Sequence, residues 1–426
     1  MRDEVKVSIA AATGIAFEFY DFLIFGFVSN ILATLFFPSK NQITSLLATF
    51  AAFATGFAGR PLGAIVFGHL GDRIGRKVTL ILTMTLMGLS SLFTGLLPTY
   101  ATIGILAPTL LTTLRFLQGF SLGGEFGGGI TLTSEFADPP SRAFYVGIAQ
   151  SAQGLGPLLA TGLIFIFSSI MSPPSFAATG WRILFVIGAF IAVIGVIIRL
   201  KISESPVFKR IKFKGEISKV PLAEAFKHYW RKILLGLGFI VGGTTLTYAT
   251  GVFASSYLET VIGVPSKVVS LALVIGYIVE TACIVLFARI ADKIGRKPMM
   301  IGTAIGLLIF VYPYFYLIST GLFPFIVLAQ VIYAIIASLG TGAYATALTE
   351  LFPTKVRYTA LSFDYHVGVA IFGGTTPFIA TYLIFTTGYR LAPVFWGMAG
   401  MLVTLIAYIK YKETRGTIFE GQEKVS

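Results

Sequence analysis

The sequence predicts an all-α membrane protein whose twelve membrane-spanning helices form two six-helix halves. Three observations lead there. Of 426 residues, 55% are hydrophobic and only 12% are charged. A soluble domain carries about 25% charged residues, so a soluble fold of this size would lack the polar surface it needs. Twelve apolar runs reach or approach the roughly 20 residues that cross a bilayer as a helix. Finally, the loop Gly71-Asp72-Arg73-Ile74-Gly75-Arg76-Lys77 has a near-copy, Ala291-Asp292-Lys293-Ile294-Gly295-Arg296-Lys297, and both lie between apolar runs.

The runs are numbered here as segments. Segments 1 to 6 cover 7–37, 43–70, 78–97, 103–134, 144–171 and 182–202. Segments 7 to 12 cover 231–258, 266–290, 298–320, 323–350, 358–386 and 389–411. Residues 1–202 then form an N-terminal bundle, 203–230 a linker, 231–411 a C-terminal bundle and 412–426 a tail. Segment 1 is too long for a signal-peptide core and lacks a small-residue cleavage site, so it reads as a retained helix. Segments 2 and 3 flank the first polar loop, where Gly71 and Gly75 permit a tight turn. Asp72 there stands near the start of the next helix, where a carboxylate is favoured. Segment 4 contains six glycines between Gly119 and Gly129, which suit close helix packing in a membrane. Glu135 and Arg142 follow it with the spacing that Glu350 and Arg357 repeat after segment 10. Gly180-Trp181-Arg182 before segment 6 returns as Gly388-Tyr389-Arg390 before segment 12. Ser203-Glu204-Ser205-Pro206 returns as Lys412-Glu413-Thr414-Arg415. Ordered marks in both halves point to a duplicated unit.

Net charge is +13. The cations cluster in short loops rather than on one polar face, which argues against nucleic acid. Arg73, Arg76, Lys77, Arg142, Lys293, Arg296, Lys297, Lys355 and Arg357 lie on one side, as do Lys209, Arg210, Lys212, Lys214, Lys219 and Lys227 of the linker. The opposite side has little beyond Lys40, Arg182, Lys267 and Arg390. By the positive-inside rule both termini are cytoplasmic. The linker reads as a solvated connection, with contact to anionic lipid as the alternative. The single cysteine, Cys283, allows no intrachain disulfide. His69, His228 and His366 are scattered, so no metal site is expected, and no phosphate-binding loop of the ATPase kind is present. The chain is therefore not expected to be an enzyme, and no cofactor is expected.

The repeated loop resembles the loops between helices 2 and 3 and between helices 8 and 9 of major facilitator superfamily transporters. Gly14-Ile15-Ala16-Phe17-Glu18-Phe19-Tyr20-Asp21-Phe22 on segment 1 resembles the metabolite:proton symporters of that superfamily. So do Arg60-Pro61-Leu62-Gly63 on segment 2, Gln118-Gly119-Phe120-Ser121-Leu122-Gly123-Gly124-Glu125 on segment 4, and Phe352-Pro353-Thr354-Lys355-Val356-Arg357-Tyr358 before segment 11. Members of that branch carry citrate, 2-oxoglutarate, shikimate, dicarboxylates, proline and betaines. The resemblance implies the major facilitator fold and a plasma-membrane monomer. It implies proton-coupled symport of a small organic acid or zwitterion by alternating access, with the proton as coupling ion. The alternative is a sugar-porter-like carrier or uncoupled facilitator. Arg115, Glu135 and Arg142 share their spacing with sugar porters. Segment 7, however, reads Gly242-Gly243-Thr244-Thr245-Leu246-Thr247-Tyr248 and lacks the glutamine pair those carriers have.

Ionisable groups inside a membrane are costly, so each is a functional candidate. Glu18 and Asp21 share one helix face and, with Arg115, are the expected proton-coupling residues. Arg115 is expected beside Asp21. Arg60, Arg115 and Glu125, with the aromatic residues Tyr248, Tyr344, Tyr365 and Trp396, are the expected substrate contacts. Glu125 either binds a proton or pairs with Arg60 or Arg115. Glu280, Asp364 and His366 are further intramembrane candidates. Asp72, Arg73, Arg76, Glu135, Arg142, Asp292, Arg296, Glu350 and Arg357 resemble the family's cytoplasmic charge network. They are expected to gate that mouth without touching substrate.

Overall fold

The computed structural model describes residues 3–40, 42–215 and 221–419. Regular structure among these is helical, and no strand occurs. Hydrocarbon leaves a backbone N–H no acceptor but one in its own helix, so this is the form a spanning segment takes. Among the described residues ten helices are long and apolar enough to cross a membrane. Gln42–Arg73 and Leu106–Phe136, in segments 2 and 4, have 32 and 31 residues and carry Arg60, Arg115 and eleven glycines between them; expected as spans, they are not among those ten. The surface is apolar: Phe190, Ile309 and Phe378 are each more than 60% exposed. Many of the charged side chains are instead buried, which is the arrangement of a protein whose solvent is lipid.

Several segments are interrupted. Segment 1 is Asp3–Phe27 continued by Ser29–Phe36. Segment 5 is Arg142–Gln150 followed by Ala152–Ile170. Segment 11 is Arg357–Gly368, a wide π turn at Val369–Gly373, then Gly374–Thr387. The helix of segment 7 begins at Pro221, ahead of its expected start, and kinks at Tyr229 (φ −126°, ψ 16°) before continuing to Tyr248. The linker also differs from the expected solvated connection. Ser205 accepts a hydrogen bond from Phe208 N at 3.1 Å, Pro206 occupies the first turn, and helix Pro206–Lys214 forms. Val207, Phe208 and Ile211 on it are buried. Lys219 lies outside the described residues.

Segments 2 and 4 meet backbone to backbone. A Cβ on Gly63 would lie 1.7 Å from the Phe120 carbonyl oxygen, and one on Gly119 1.8 Å from that of Gly56. Elsewhere segment 3 packs on 6, segment 7 on 12, and segments 8 and 9 on 10. Segments 2 and 4 contact segment 11, and segment 5 contacts segments 8 and 10. The contact between the first and second series of helices is thus built mainly from segments 2, 4 and 5 against 8, 10 and 11.

Candidate functional site

The two copies of the polar loop build two related charge clusters on the face where the linker and tail lie. Gly75 and Gly295 take φ of 122° and 109°, a region open mainly to glycine. Gly71 is helical instead of part of the turn, and its bare Cα lies against the Tyr358 ring. Arg76 donates to Gly71 O at 2.9 Å and pairs with Asp72 at 3.1 Å and Glu135 at 3.4 Å. Arg296 repeats this, donating to Ala291 O at 3.1 Å and pairing with Asp292 and Glu350 at 3.2 Å each. An arginine from the other series reaches each glutamate: Arg357 meets Glu135 at 2.8 Å and Arg142 meets Glu350 at 2.9 Å.

The two aspartates also act across the interface. Asp72 accepts from Thr359 N at 2.9 Å and Thr359 Oγ1 at 2.8 Å, at the start of helix Arg357–Gly368. Asp292 accepts from Ala143 N at 3.0 Å and Phe144 N at 2.8 Å, at the start of helix Arg142–Gln150. Each carboxylate therefore satisfies unpaired N–H groups at the positive end of a helix in the opposite series. This corrects the expectation that Asp72 serves the next helix. That place belongs to Glu204, which accepts from Arg76 N and Lys77 N at 3.1 Å each. Glu413 does the same for Arg296 N at 3.1 Å and Lys297 N at 2.8 Å. Burial pushes the Glu413 carboxyl up, but the backbone N–H groups of Lys297, Arg296, Arg415 and Thr414 outweigh it and hold it below its usual range. Arg73, expected in this network, is exposed and, among the described residues, hydrogen-bonds to His69 Nε2 alone, at 3.4 Å. Phe419 closes the cluster: the Arg142 and Arg357 guanidinium carbons each lie 3.7 Å from its ring centre.

The intramembrane charges pair differently from expectation. Glu18 forms an ion pair with Arg60 at 3.3 Å, and the Arg60 guanidinium lies over the Phe22 ring. Asp21 accepts from Ser91 Oγ at 2.5 Å. Arg115 is not its ion-pair partner. It donates to Gln118 Oε1 at 3.2 Å and Phe22 O at 3.3 Å, and Phe22, Phe25 and Phe53 surround it. Asp21 and Arg115 thus hydrogen-bond to different partners in this conformation. Glu125 pairs with neither Arg60 nor Arg115. It is held by Arg199, which donates to both carboxylate oxygens, and by Thr83 Oγ1 at 2.9 Å. Arg199 escaped the sequence reading, although it is an arginine within segment 6.

A central cavity of about 720 Å³ lies among segments 1, 5 and 7 to 12, lined by Phe19, Gln153, Thr247, Tyr248, Glu280, Tyr333, Tyr344, Tyr365 and others. Two neighbouring cavities, about 510 and 330 Å³, share Thr247 and Glu280 with it, and Arg60 lines the larger. The lining, aromatic side chains with a few convergent polar groups, suits a small organic ligand. Of the expected substrate contacts, Arg60, Tyr248, Tyr344 and Tyr365 face this space. Arg115, Glu125 and Trp396 do not line it; the Trp396 indole instead donates to Thr376 Oγ1 at 3.0 Å. Gln153, Tyr277 and Tyr333 line it and were not singled out in sequence. Asp364 and His366 are buried with no hydrogen-bond partner, and Asp364 faces Gly236 of segment 7. No cluster of metal-ligating side chains occurs among the described residues.

The sugar (and other) transporter family model matches residues 6–225, and the major facilitator superfamily model matches residues 235–424. The chain is 36% identical to the inner membrane metabolite transport protein YhjE of Escherichia coli K12, over 96% of this chain and 94% of that protein. It is 31% identical to the proline/betaine transporter of Salmonella typhimurium, over 98% of this chain and 85% of that one. The fold matches the proton:xylose symporter XylE bound to 6-bromo-6-deoxy-D-glucose with a TM-score of 0.80, at 18% identity over 99% of this chain and 98% of that one. Helical segments long enough to cross a membrane, a buried charge system and these full-length likenesses converge: this multi-pass membrane protein belongs to the major facilitator superfamily of transporters.

Proposed function

We propose that the chain is a secondary active transporter that couples proton movement to uptake of a small organic acid or zwitterion. In this reading twelve spans form two six-helix bundles, 1–202 and 231–411, which rock about the central cavity. The linker 203–230 and the tail 412–426 lie in the cytoplasm, and the protein works as a monomer in the plasma membrane. The observation that carries the reading is a pair of buried carboxylates in segment 1: Glu18, paired with the cavity-lining Arg60, and Asp21, held by Ser91. A carboxylate in hydrocarbon is stable when paired or protonated, so one whose partner changes between conformations exchanges a proton with each cycle. Asp21 is the stronger candidate, because its partner is a neutral hydroxyl rather than a cation. Glu18 and Arg60 bear on both proton and substrate. The names of the metabolite and proline/betaine relatives support the substrate class. Arg115 keeps a place in coupling as a charge near Asp21 without direct contact.

The clusters around Asp72, Arg76, Glu135 and Arg357, and around Asp292, Arg296, Glu350 and Arg142, gate the cytoplasmic mouth. The test is uptake into proteoliposomes under an imposed pH gradient. Asp21→Asn should abolish accumulation against a concentration gradient while preserving counterflow exchange; wild-type accumulation by that variant overturns the assignment. The sugar transporter family match favours one other reading, a sugar carrier or uncoupled facilitator. Flux of neutral sugars that ignores the pH gradient would establish it.

A further inference from the structure

Opposite charges face one enclosed space. Arg60 and Glu280 line the same cavity, from segments 2 and 8. Glu280 lies at the centre of helix Ser266–Ile294, fourteen residues from each end, and so at the depth where carriers of this architecture bind their cargo. The two residues differ in how they are satisfied. Arg60 already holds Glu18 at 3.3 Å, yet its Nε, buried, has no acceptor. The Glu280 carboxylate lines all three cavities and makes no ion pair or hydrogen bond among the described residues. Arg199 is satisfied by Glu125, and Arg115 does not line the cavities. The cavity therefore presents one carboxylate without a counter-charge and one guanidinium with a spare donor. Tyr248, Tyr277 and Tyr333 line the space around Glu280, and tyrosine ring faces attract a cation.

We propose that Glu280 and these tyrosines form a subsite for a cationic ammonium group, with the substrate's carboxylate turned toward Arg60. The preferred cargo is then a zwitterion rather than a plain carboxylate. This inference rests on the transporter reading above and narrows it. Glu280 supplies the counter-charge, ionising as the cation enters, the rings supply a surface that accepts alkylated nitrogen without needing a hydrogen bond, and the Arg60 Nε–H supplies the polar anchor at the other end.

The experiment compares ligands of equal shape that differ only in the cation. Binding to the purified full-length protein is measured calorimetrically for trimethylammonioacetate against 3,3-dimethylbutanoate, and for L-proline against cyclopentanecarboxylate. The expected result is that the ammonium member of at least one pair binds roughly tenfold or more tighter, and that Glu280→Gln removes the preference while thermal stability is retained. Equal binding within both pairs, or binding of citrate with none of the ammonium compounds, overturns the subsite but leaves the organic-acid reading intact. Binding of neutral sugars alone overturns both. The wild-type comparison needs no variant, so a Glu280→Gln protein that fails to fold does not blunt the test.

Discussion

Asp72→Ala should open the charged mouth without touching the cavity. The Asp72 carboxylate accepts two hydrogen bonds from Thr359, at 2.9 Å from the amide and 2.8 Å from the hydroxyl. Both cross from segment 2 to segment 11, so both exist only while this face is closed. The Asp72 ion pair with Arg76 at 3.1 Å stays within the first series and survives opening. A hydrogen bond to a charged group is worth about 1.5–3 kcal/mol net of hydration, so two at the lower bound give about 3 kcal/mol. At about 1.4 kcal/mol per decade, the closed state should lose roughly two orders of magnitude against the open one. Ser362 reports on this directly. It is buried, and its hydroxyl packs against Gly127 across the same interface. In a Cys283→Ala background, Ser362→Cys should react slowly with a bulky maleimide, and addition of Asp72→Ala should accelerate that reaction at least tenfold. Substrate affinity should stay within a few-fold while transport slows. Arg73→Ala is the control: it removes an exposed cation that, among the described residues, hydrogen-bonds to His69 alone and should leave alkylation unchanged. An Asp72→Ala protein that is folded and alkylated at the parental rate refutes the assignment of these hydrogen bonds to closure.

Three further outcomes are expected. Glu125→Gln or Arg199→Met alone should cost about 3–5 kcal/mol, because each strands a buried charge, and the double variant should recover part of it; thermal unfolding in detergent would show this, and additive losses would contradict it. Gly63→Ala should prevent stable folding, since its Cβ would fall 1.7 Å from the Phe120 carbonyl oxygen, whereas Gly26→Ala meets nothing within 4 Å and should be tolerated. Glu413 has a carboxyl held below its usual range, so its contribution is complete above the ordinary glutamate range and is lost as pH falls through the folded value; Glu413→Gln should flatten the acid limb of the stability profile, and an unchanged limb would show that the contacts to Arg296 and Lys297 do not matter.

Sequence periodicity and charge were enough to place the helices, because a spanning helix must be both long and apolar, and both properties survive without knowledge of neighbours. The loop copies at Asp72 and Asp292 were visible for a similar reason: a tight turn between two membrane helices restricts residue type locally. The pairings were not. Arg199 and Glu125 are 74 residues apart, and nothing in either segment indicates that they meet. Asp21 and Arg115 form no direct ion pair in this conformation, which their depth along the helices could not reveal. Helix rise fixes position along the membrane normal, but the direction in which a side chain leaves the helix depends on packing. The linker helix Pro206–Lys214 was hidden because its cations outweigh Val207, Phe208 and Ile211 in any composition measure.

The two repeats agree at one level of the membrane and disagree at another. At the charged face the match is residue by residue: Arg76, Glu135 and Glu204 in one cluster, Arg296, Glu350 and Glu413 in the other, each glutamate at 135 and 350 taking an arginine from the opposite series. A gate that must release both halves together gains from this, because each half then holds the other by the same contacts. At mid-membrane the first series carries Glu18, Asp21, Arg60, Arg115, Glu125 and Arg199, and the second carries Glu280, Asp364 and His366. In the first series Glu18 pairs with Arg60, Glu125 with Arg199 and Asp21 with Ser91, whereas Asp364 and His366 have no hydrogen-bond partner among the described residues and the Glu280 carboxylate lines the cavities. Buried charge is tolerated where it is compensated. Under the transport cycle proposed above, the first series holds the proton site, and Glu280 in the second takes its counter-charge from what enters the cavity. In that proposal coupling resides in the asymmetry between the repeats, and gating in their symmetry.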